Sequence, residues 1–262
     1  MSWILLSNDD GVDSPALVPF ARALQRLGAV HVVVPDVERS WVGKAITRFD
    51  PVSTKQVERE GIEIVTCSGF PADAVQLGLH TLFEQRPGLV VSGINMGYNH
   101  GSGFLMSSGT VGAAVEGWIG GVPGVAFSTG HEGNFLGWRQ AVAEPAARGD
   151  WERLAELAVD VLGDLLDHDV LEVADVVSVN LPWQADVRTP RRVTAVDRVG
   201  YDQLFRRDPQ GGYVHAFGGF VQREEVAGSD VEAARAGHVS ITPLRMPEAV
   251  ALPASSRAAL ER

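Results

Sequence analysis

Hydrophobic and polar positions alternate along the chain in blocks of two kinds, short apolar runs that stop at turn residues and longer stripes at helical spacing. Trp3-Ile4-Leu5-Leu6 runs into Ser7-Asn8-Asp9-Asp10-Gly11, and an unbroken apolar run predicts a strand covered on both faces, as in a parallel sheet. Ser14 and Pro15 read as an N-cap and a first-turn proline, with Leu17, Phe20, Ala21, Leu24 and Leu27 at helical spacing and Gly28 as the stop. Val30 and Val32 to Val34 form a second strand ended by Pro35-Asp36, which completes a right-handed βαβ unit. Residues 52–66 alternate around Glu60-Gly61 and predict an inserted hairpin covering a sheet edge.

A helix follows from Pro71, then a strand at Leu89, Val90 and Val91 that empties into a Gly- and Asn-rich loop, residues 92–101. Ser107-Ser108-Gly109-Thr110 opens a helix, and residues 122–128 make the strand expected to close the main sheet. Residues 130–149 read as loop, 151–166 as an amphipathic helix, 173–180 and 239–242 as strands, and 253–260 as a short helix or tail. Residues 185–230, with turns at Asp208-Pro209 and Gly211-Gly212, read as a protruding hairpin or subunit-contacting arm. The pattern predicts one α/β domain over 1–262, with a doubly wound, mostly parallel sheet and a C-terminal extended arm.

Composition narrows the function classes. With 45% hydrophobic and 21% charged residues, the chain matches a globular protein. No apolar run is long enough to span a membrane, and the first residues lack a basic region followed by a hydrophobic segment and a cleavage site, so a cytoplasmic location is expected. Cys67 is the single cysteine, which excludes an intrachain disulfide and a thiolate metal site and reads as a buried inert thiol. A net charge of −11 argues against binding nucleic-acid duplexes. An anionic substrate would need a local reversal of that field, which a divalent cation held by acids supplies.

The candidate chemistry sits at strand ends. Asp9 and Asp10 face one ion only if the chain turns there, which Gly11 permits; the competing reading is a surface turn with Asp capping the next helix. Parallel strands open on one side, so Asn95 and Ser40 are placed to join the same ion. Asp, Asp, Ser and Asn oxygens suit Mg²⁺, Mn²⁺ or Ca²⁺ better than zinc. Ser108, Gly109 and Thr110 before a helix read either as a phosphate cradle or as an ordinary N-cap, and Asn99 as a functional or a plain turn residue. His100 is the one histidine placed to donate a proton, against the blander reading of a solvated loop residue. Walker, dinucleotide-fingerprint and nucleophile-elbow motifs are absent from the sequence.

These segments resemble the SurE survival-protein family of metal-dependent 5'/3'-nucleotidases and acid phosphatases. The carriers are residues 4–11, Pro35-Asp36 with Arg39-Ser40, residues 69–73, Ser92-Gly93-Ile94-Asn95 with Gly97 and Asn99, Ser108-Gly109-Thr110-Val111 and residues 239–244, in family order. The resemblance implies a Rossmann-like core and one divalent ion per subunit, Mg²⁺ or Mn²⁺, on Asp9, Asp10, Ser40 and Asn95. It implies a phosphate site around Asn99, Ser108, Gly109 and Thr110, and a homodimer or homotetramer built through C-terminal extended segments. One stretch departs: where the family has Gly-Ala-Ser-Asn-Ser, this chain has Trp41-Val42-Gly43-Lys44-Ala45. Trp41 offers a stacking face and Lys44 a charge towards phosphate, an altered substrate pocket.

The expected activity is hydrolysis of nucleoside monophosphates, with Asp9 or Asp10 handling the attacking water, Asn99 acting with them, and water or His100 protonating the leaving group. Adjacent acids differ from the Asp-x-Asp of aspartyl-phosphate enzymes, which favours direct water attack. The alternatives are a phosphatase dedicated to one phosphorylated metabolite and a non-catalytic metal- or nucleotide-binding module.

Overall fold

The apolar run at the start forms β1 (Ile4–Ser7), buried at all four positions in the middle of a nine-stranded sheet. Ile4 and Leu6 pack into one apolar cluster and Leu5 into another on the opposite face, which is why the run does not alternate. The computed structural model describes residues 3–217 and 219–261. Among these, β1 is followed by α1 (Leu17–Leu24), β2 (Val30–Pro35), a hairpin of β3 (Thr54–Arg59) and β4 (Ile62–Cys67), α2 (Pro71–His80) and β5 (Leu89–Met96). Next come α3 (Gly101–Ser107), α4 (Gly109–Ile119), β6 (Gly124–Gly130), α5 (Phe135–Ala143), α6 (Arg148–Asp167), the short α7 (Val170–Val173) and β7 (Val176–Pro182). The remainder is β8 (Arg191–Val193), β9 (Arg198–Tyr201), β10 (Phe205–Arg207), β11 (Tyr213–His215), β12 (Phe220–Glu224), α8 (Asp230–Arg235), β13 (Val239–Leu244) and α9 (Ala254–Leu260).

The sheet order is β3-β4-β2-β1-β5-β6-β7-β13-β8, with β4 through β7 parallel. Buried residues of α1 and α6 cover one face, among them Phe20 and Trp151, while Val75 of α2 and Ala113 of α4 belong to the cluster on the other. This is a doubly wound, Rossmann-like α/β fold. Connections leave β1 towards β2 on one side and reach β5 on the other, so the order reverses between β1 and β5, where a crevice opens at the carboxyl ends of the strands. Among the described residues no helix is long and apolar enough to cross a membrane.

Several elements differ from the sequence-based expectation. The sheet does not close at β6, because β7 and the antiparallel β13 extend it. β5 runs on through Asn95, which pairs with Ser128 after an irregularity in the ladder, so the Gly- and Asn-rich stretch is partly strand. Ser14 does not cap α1; its carbonyl accepts the Leu17 N–H in a preceding turn, and the regular helix starts later. Residues 101–107, rich in Gly and Ser, are helical because tertiary contacts outweigh propensity: Ser102 N–H donates to the Asp197 carbonyl, and Gly103 lies against the Gly200 backbone. Residues 130–149 contain α5, which buries Trp138 and Val142 while Phe135, at the same helical spacing, stays exposed. The segment from β9 to β12 forms two small antiparallel pairs, β9 with β12 and β10 with β11, outside the main sheet.

Candidate active site

The acids stand on a turn tied by Asn8. Its buried side-chain amide donates to the Gly11 carbonyl and accepts the Gly11 N–H, each at 3.0 Å. Gly11 has φ +83°, and a Cβ there would lie 2.8 Å from the Val37 carbonyl carbon, so both the turn and its packing require glycine. Asp9 and Asp10 are 3% and 8% exposed. The Asp9 Oδ1 accepts the Thr110 hydroxyl at 2.6 Å, and its carbonyl accepts the Arg39 N–H at 2.7 Å. The Asp10 Oδ2 accepts the Met96 N–H at 3.1 Å from the end of β5. Gly109 closes over the pair, since a Cβ there would sit 2.8 Å from that of Asp9. Burial pushes both carboxyls above the ordinary range, and the charge of Asp9 raises Asp10 further. These two buried neighbouring carboxylates accept few hydrogen bonds and form no direct ion pair among the described residues.

The surrounding donors fit a hard cation. The Asn95 amide nitrogen is committed to the Gly97 carbonyl at 2.6 Å, so its oxygen is the atom available to a cation. The Ser40 hydroxyl donates to Glu38 at 2.6 Å and keeps its lone pairs. Among the described residues no cluster of three or more His, Cys, Asp or Glu stands ready for a metal. A set of two carboxylates, an amide oxygen and a hydroxyl suits Mg²⁺ or Mn²⁺ rather than zinc.

Behind the acids lies a buried polar relay. Asn99, 6% exposed, donates from its side chain to Ser128 at 2.8 Å and to the Thr110 hydroxyl at 3.4 Å, and its N–H donates to the Asn180 side chain at 2.9 Å. Asn180 continues the relay to Ser240 on β13. The Thr110 hydroxyl is therefore turned to Asp9, and Ser108 caps α4 by accepting the Val111 N–H at 3.1 Å. The first turn of α4 aims at the acids.

Of the departing stretch, Trp41 stands among aromatic rings and Lys44 is engaged away from the acids. Trp41, at φ 62° and half-exposed, meets the rings of Phe104, Tyr201 and His215 at 5.7, 5.3 and 5.2 Å. Lys44 forms an ion pair with buried Glu116 on α4, which also accepts from Gln76. His100 is 3% exposed, stacks on Tyr98 at 4.8 Å and has neither ring nitrogen hydrogen-bonded. Burial lowers its pKa, against the opposing charge of Asp230. It is a buried residue and not a solvated loop histidine.

Residues that sequence reasoning missed complete the site. Glu38 accepts from Arg139 of α5 at 2.6 Å, and both charges act on Asp9 and Asp10. Asn180 and Ser128 hold Asn99, and Asp230 accepts the Gly101 N–H at 2.9 Å and the Asp197 N–H at 3.0 Å. Glu38 stands two residues before the Ser40 candidate, whereas the stripe of Phe135, Trp138 and Val142 is the available sign of the helix carrying Arg139.

Fold and site define a class: a Rossmann-like α/β protein with a buried, oxygen-rich acid pair at the point where the strand order reverses. The family model described as "Survival protein SurE" matches residues 4–203. A Methanosarcina barkeri protein named 5'-nucleotidase SurE is 35% identical over 248 residues, 93% of this chain and 91% of its own length. A Thermus thermophilus protein named 5'-nucleotidase SurE 1 is 38% identical over 246 residues, 93% of this chain and 91% of the relative. The crystal structure of the SurE protein from Aquifex aeolicus aligns with a TM-score of 0.77 at 32% identity, covering 99% of this chain and 100% of that one. The chain belongs to the SurE family.

Proposed function

We propose that this protein is a phosphoric monoester hydrolase of nucleotidase type, releasing phosphate from nucleoside 5'- or 3'-monophosphates with a divalent ion, Mg²⁺ or Mn²⁺, held by Asp9, Asp10, Ser40 and Asn95. The observation that carries it is the acid pair, buried without a direct ion-pair partner beside oxygen donors and the first turn of α4. Relatives named 5'-nucleotidase SurE support the activity. When bound, such an ion polarises a phosphoryl oxygen and lowers the pKa of water. Asp9 or Asp10, with Thr110 holding Asp9 at one oxygen, orients the attacking water and takes its proton as the water oxygen bonds to phosphorus and the ester P–O bond breaks, the departing alkoxide taking a proton from water. Gly109, Thr110 and the positive end of α4 face the phosphate, and Ser108 fixes that turn. Asn99 acts by holding Thr110. Trp41 supplies an aromatic face to the organic part of the substrate. A homodimer or homotetramer joined through residues 185–230, working in the cytoplasm, completes the reading.

The test is phosphate release from a panel of nucleoside monophosphates and sugar phosphates with Mg²⁺, Mn²⁺ or EDTA. Metal-dependent turnover that Asp9→Asn abolishes supports the proposal, and its absence from every substrate overturns it. A second reading, a phosphatase dedicated to one metabolite, is favoured by the aromatic surroundings of Trp41 and by Lys44 being paired away from the acids. Turnover confined to one member of the panel would select it.

A further inference from the structure

We infer that Arg139 is the phosphate-recognising cation of this site, with Glu38 as its resting partner in the absence of substrate; the inference rests on the phosphatase reading above. A phosphate dianion must approach a mouth that carries Asp9, Asp10 and Glu38. With one divalent ion bound, three carboxylates still exceed it by one charge, and Arg139 brings the mouth to neutrality. Without that guanidinium the incoming anion meets a negative site.

Position and geometry support the assignment. Arg139 pairs with Glu38, the carboxylate that also holds Ser40, whereas Lys44, the cation of the departing loop, is occupied by Glu116. α5 is seated over the end of β5, with the Phe135 ring 3.6 Å from where a Gly97 Cβ would lie. Asn134 caps the helix by accepting the Gly137 N–H, and buried Trp138 anchors it on Trp183 at 5.7 Å. Arg139 reaches Glu38 through Nη2 at 2.6 Å, while the other Glu38 oxygen takes the Ser40 hydroxyl. One guanidinium nitrogen in one ion pair leaves the rest of a five-donor fork for a second anion. The Arg139 and Glu38 side chains are 32% and 41% exposed, so the pair is weak enough for an arriving phosphate to share or replace the carboxylate.

The experiment uses the Mn²⁺-loaded protein and inorganic phosphate as the probe, with affinities for phosphate and for Mn²⁺ measured separately by calorimetry. Arg139→Gln should weaken phosphate about tenfold or more and leave Mn²⁺ affinity within about twofold; Arg139→Lys should recover part of the loss. Glu38→Gln should tighten phosphate several-fold more while Arg139 is present than in the Arg139→Gln background. Arg148→Gln, which removes a surface guanidinium paired with Glu60, should leave phosphate unchanged. The inference is overturned if wild-type holoprotein binds no phosphate or if Arg139→Gln leaves phosphate affinity within about twofold. It also falls if phosphate and Mn²⁺ weaken together, or if Glu38→Gln tightens phosphate equally without Arg139. Wild-type protein that hydrolyses nothing, yet loses phosphate binding in Arg139→Gln, would remove the hydrolase reading and keep the cation.

Discussion

The strand ends that carry Asp9, Asp10 and Asn99 and the arm that faces Trp41 are built by opposite means. At the strand ends, buried polar groups are chained together, Asp9 to Thr110, Thr110 to Asn99, Asn99 to Ser128 and Asn180, each within hydrogen-bond distance. Such a relay has few alternative arrangements, and removing one member leaves others buried without partners. In the arm, β10 and β11 are short and largely exposed, and Trp41 meets it edge-on at Tyr201 and tilted at His215. Ring contacts of this kind are adaptable and non-directional beside a hydrogen-bond chain. The contrast teaches that chemistry and selectivity are separately adjustable here: the aromatic wall tolerates replacement, and the relay does not.

That division breaks or survives on substitutions at four positions and one labelling experiment. Asp9→Asn should lower kcat/KM by about 10³-fold or more with the circular dichroism spectrum retained; a loss under tenfold would remove the acid pair from the chemistry. Thr110→Val should cost about 10²-fold by freeing Asp9, and Thr110→Ser should restore most of it, since the hydroxyl and not the methyl holds the carboxylate. Trp41→Ala should raise KM for nucleoside monophosphates about tenfold, leave inorganic phosphate affinity nearly unchanged and speed proteolysis within 204–217; an equal loss on phosphate would merge the two regions. Lys44→Met should leave turnover alone while thermal unfolding shows about 3 kcal/mol of lost stability, because Glu116 stays buried without its cation. Smallest of all, Cys67 should resist iodoacetamide at pH 8. Burial pushes its thiol to about 11, so the reactive thiolate gains population only as pH rises towards that value.

What the sequence disclosed follows from how local each feature is. Continuous apolar runs ending in Asp9-Asp10-Gly11 and near Asn95 are local patterns, and parallel strands bring their ends together whatever the details, so the acid cluster and the doubly wound sheet were legible. The Lys44 expectation could not include Glu116, because the partner lies on α4 and only packing of the 41–44 loop against it makes the pair: Gly43 N–H donates to the Ser107 carbonyl, and a Cβ at Gly112 would sit 2.5 Å from the Gly43 oxygen. Asp230 and Asn180 are equally non-local, each reaching the 99–101 segment from far along the chain. Arg139 escaped because Gly133 and Gly137 interrupt the helical stripe, leaving its packing on Trp183 to decide the structure.

The place of β13 in the sheet has a consequence for biosynthesis. Strand order in space is not order of synthesis, because Val239–Leu244 lies between β7 and β8. Every side chain assigned above to metal or phosphate is translated before β13 exists, and until then β7 presents an open row of backbone donors and acceptors while Asn180 lacks Ser240. A nascent chain passing through this stage holds its acids on a sheet that is still able to add a foreign strand. Late arrival of β13 is thus the step that commits the polypeptide to a monomer's own pairing, and a ribosome-stalled product ending before residue 239 would be the aggregation-prone species.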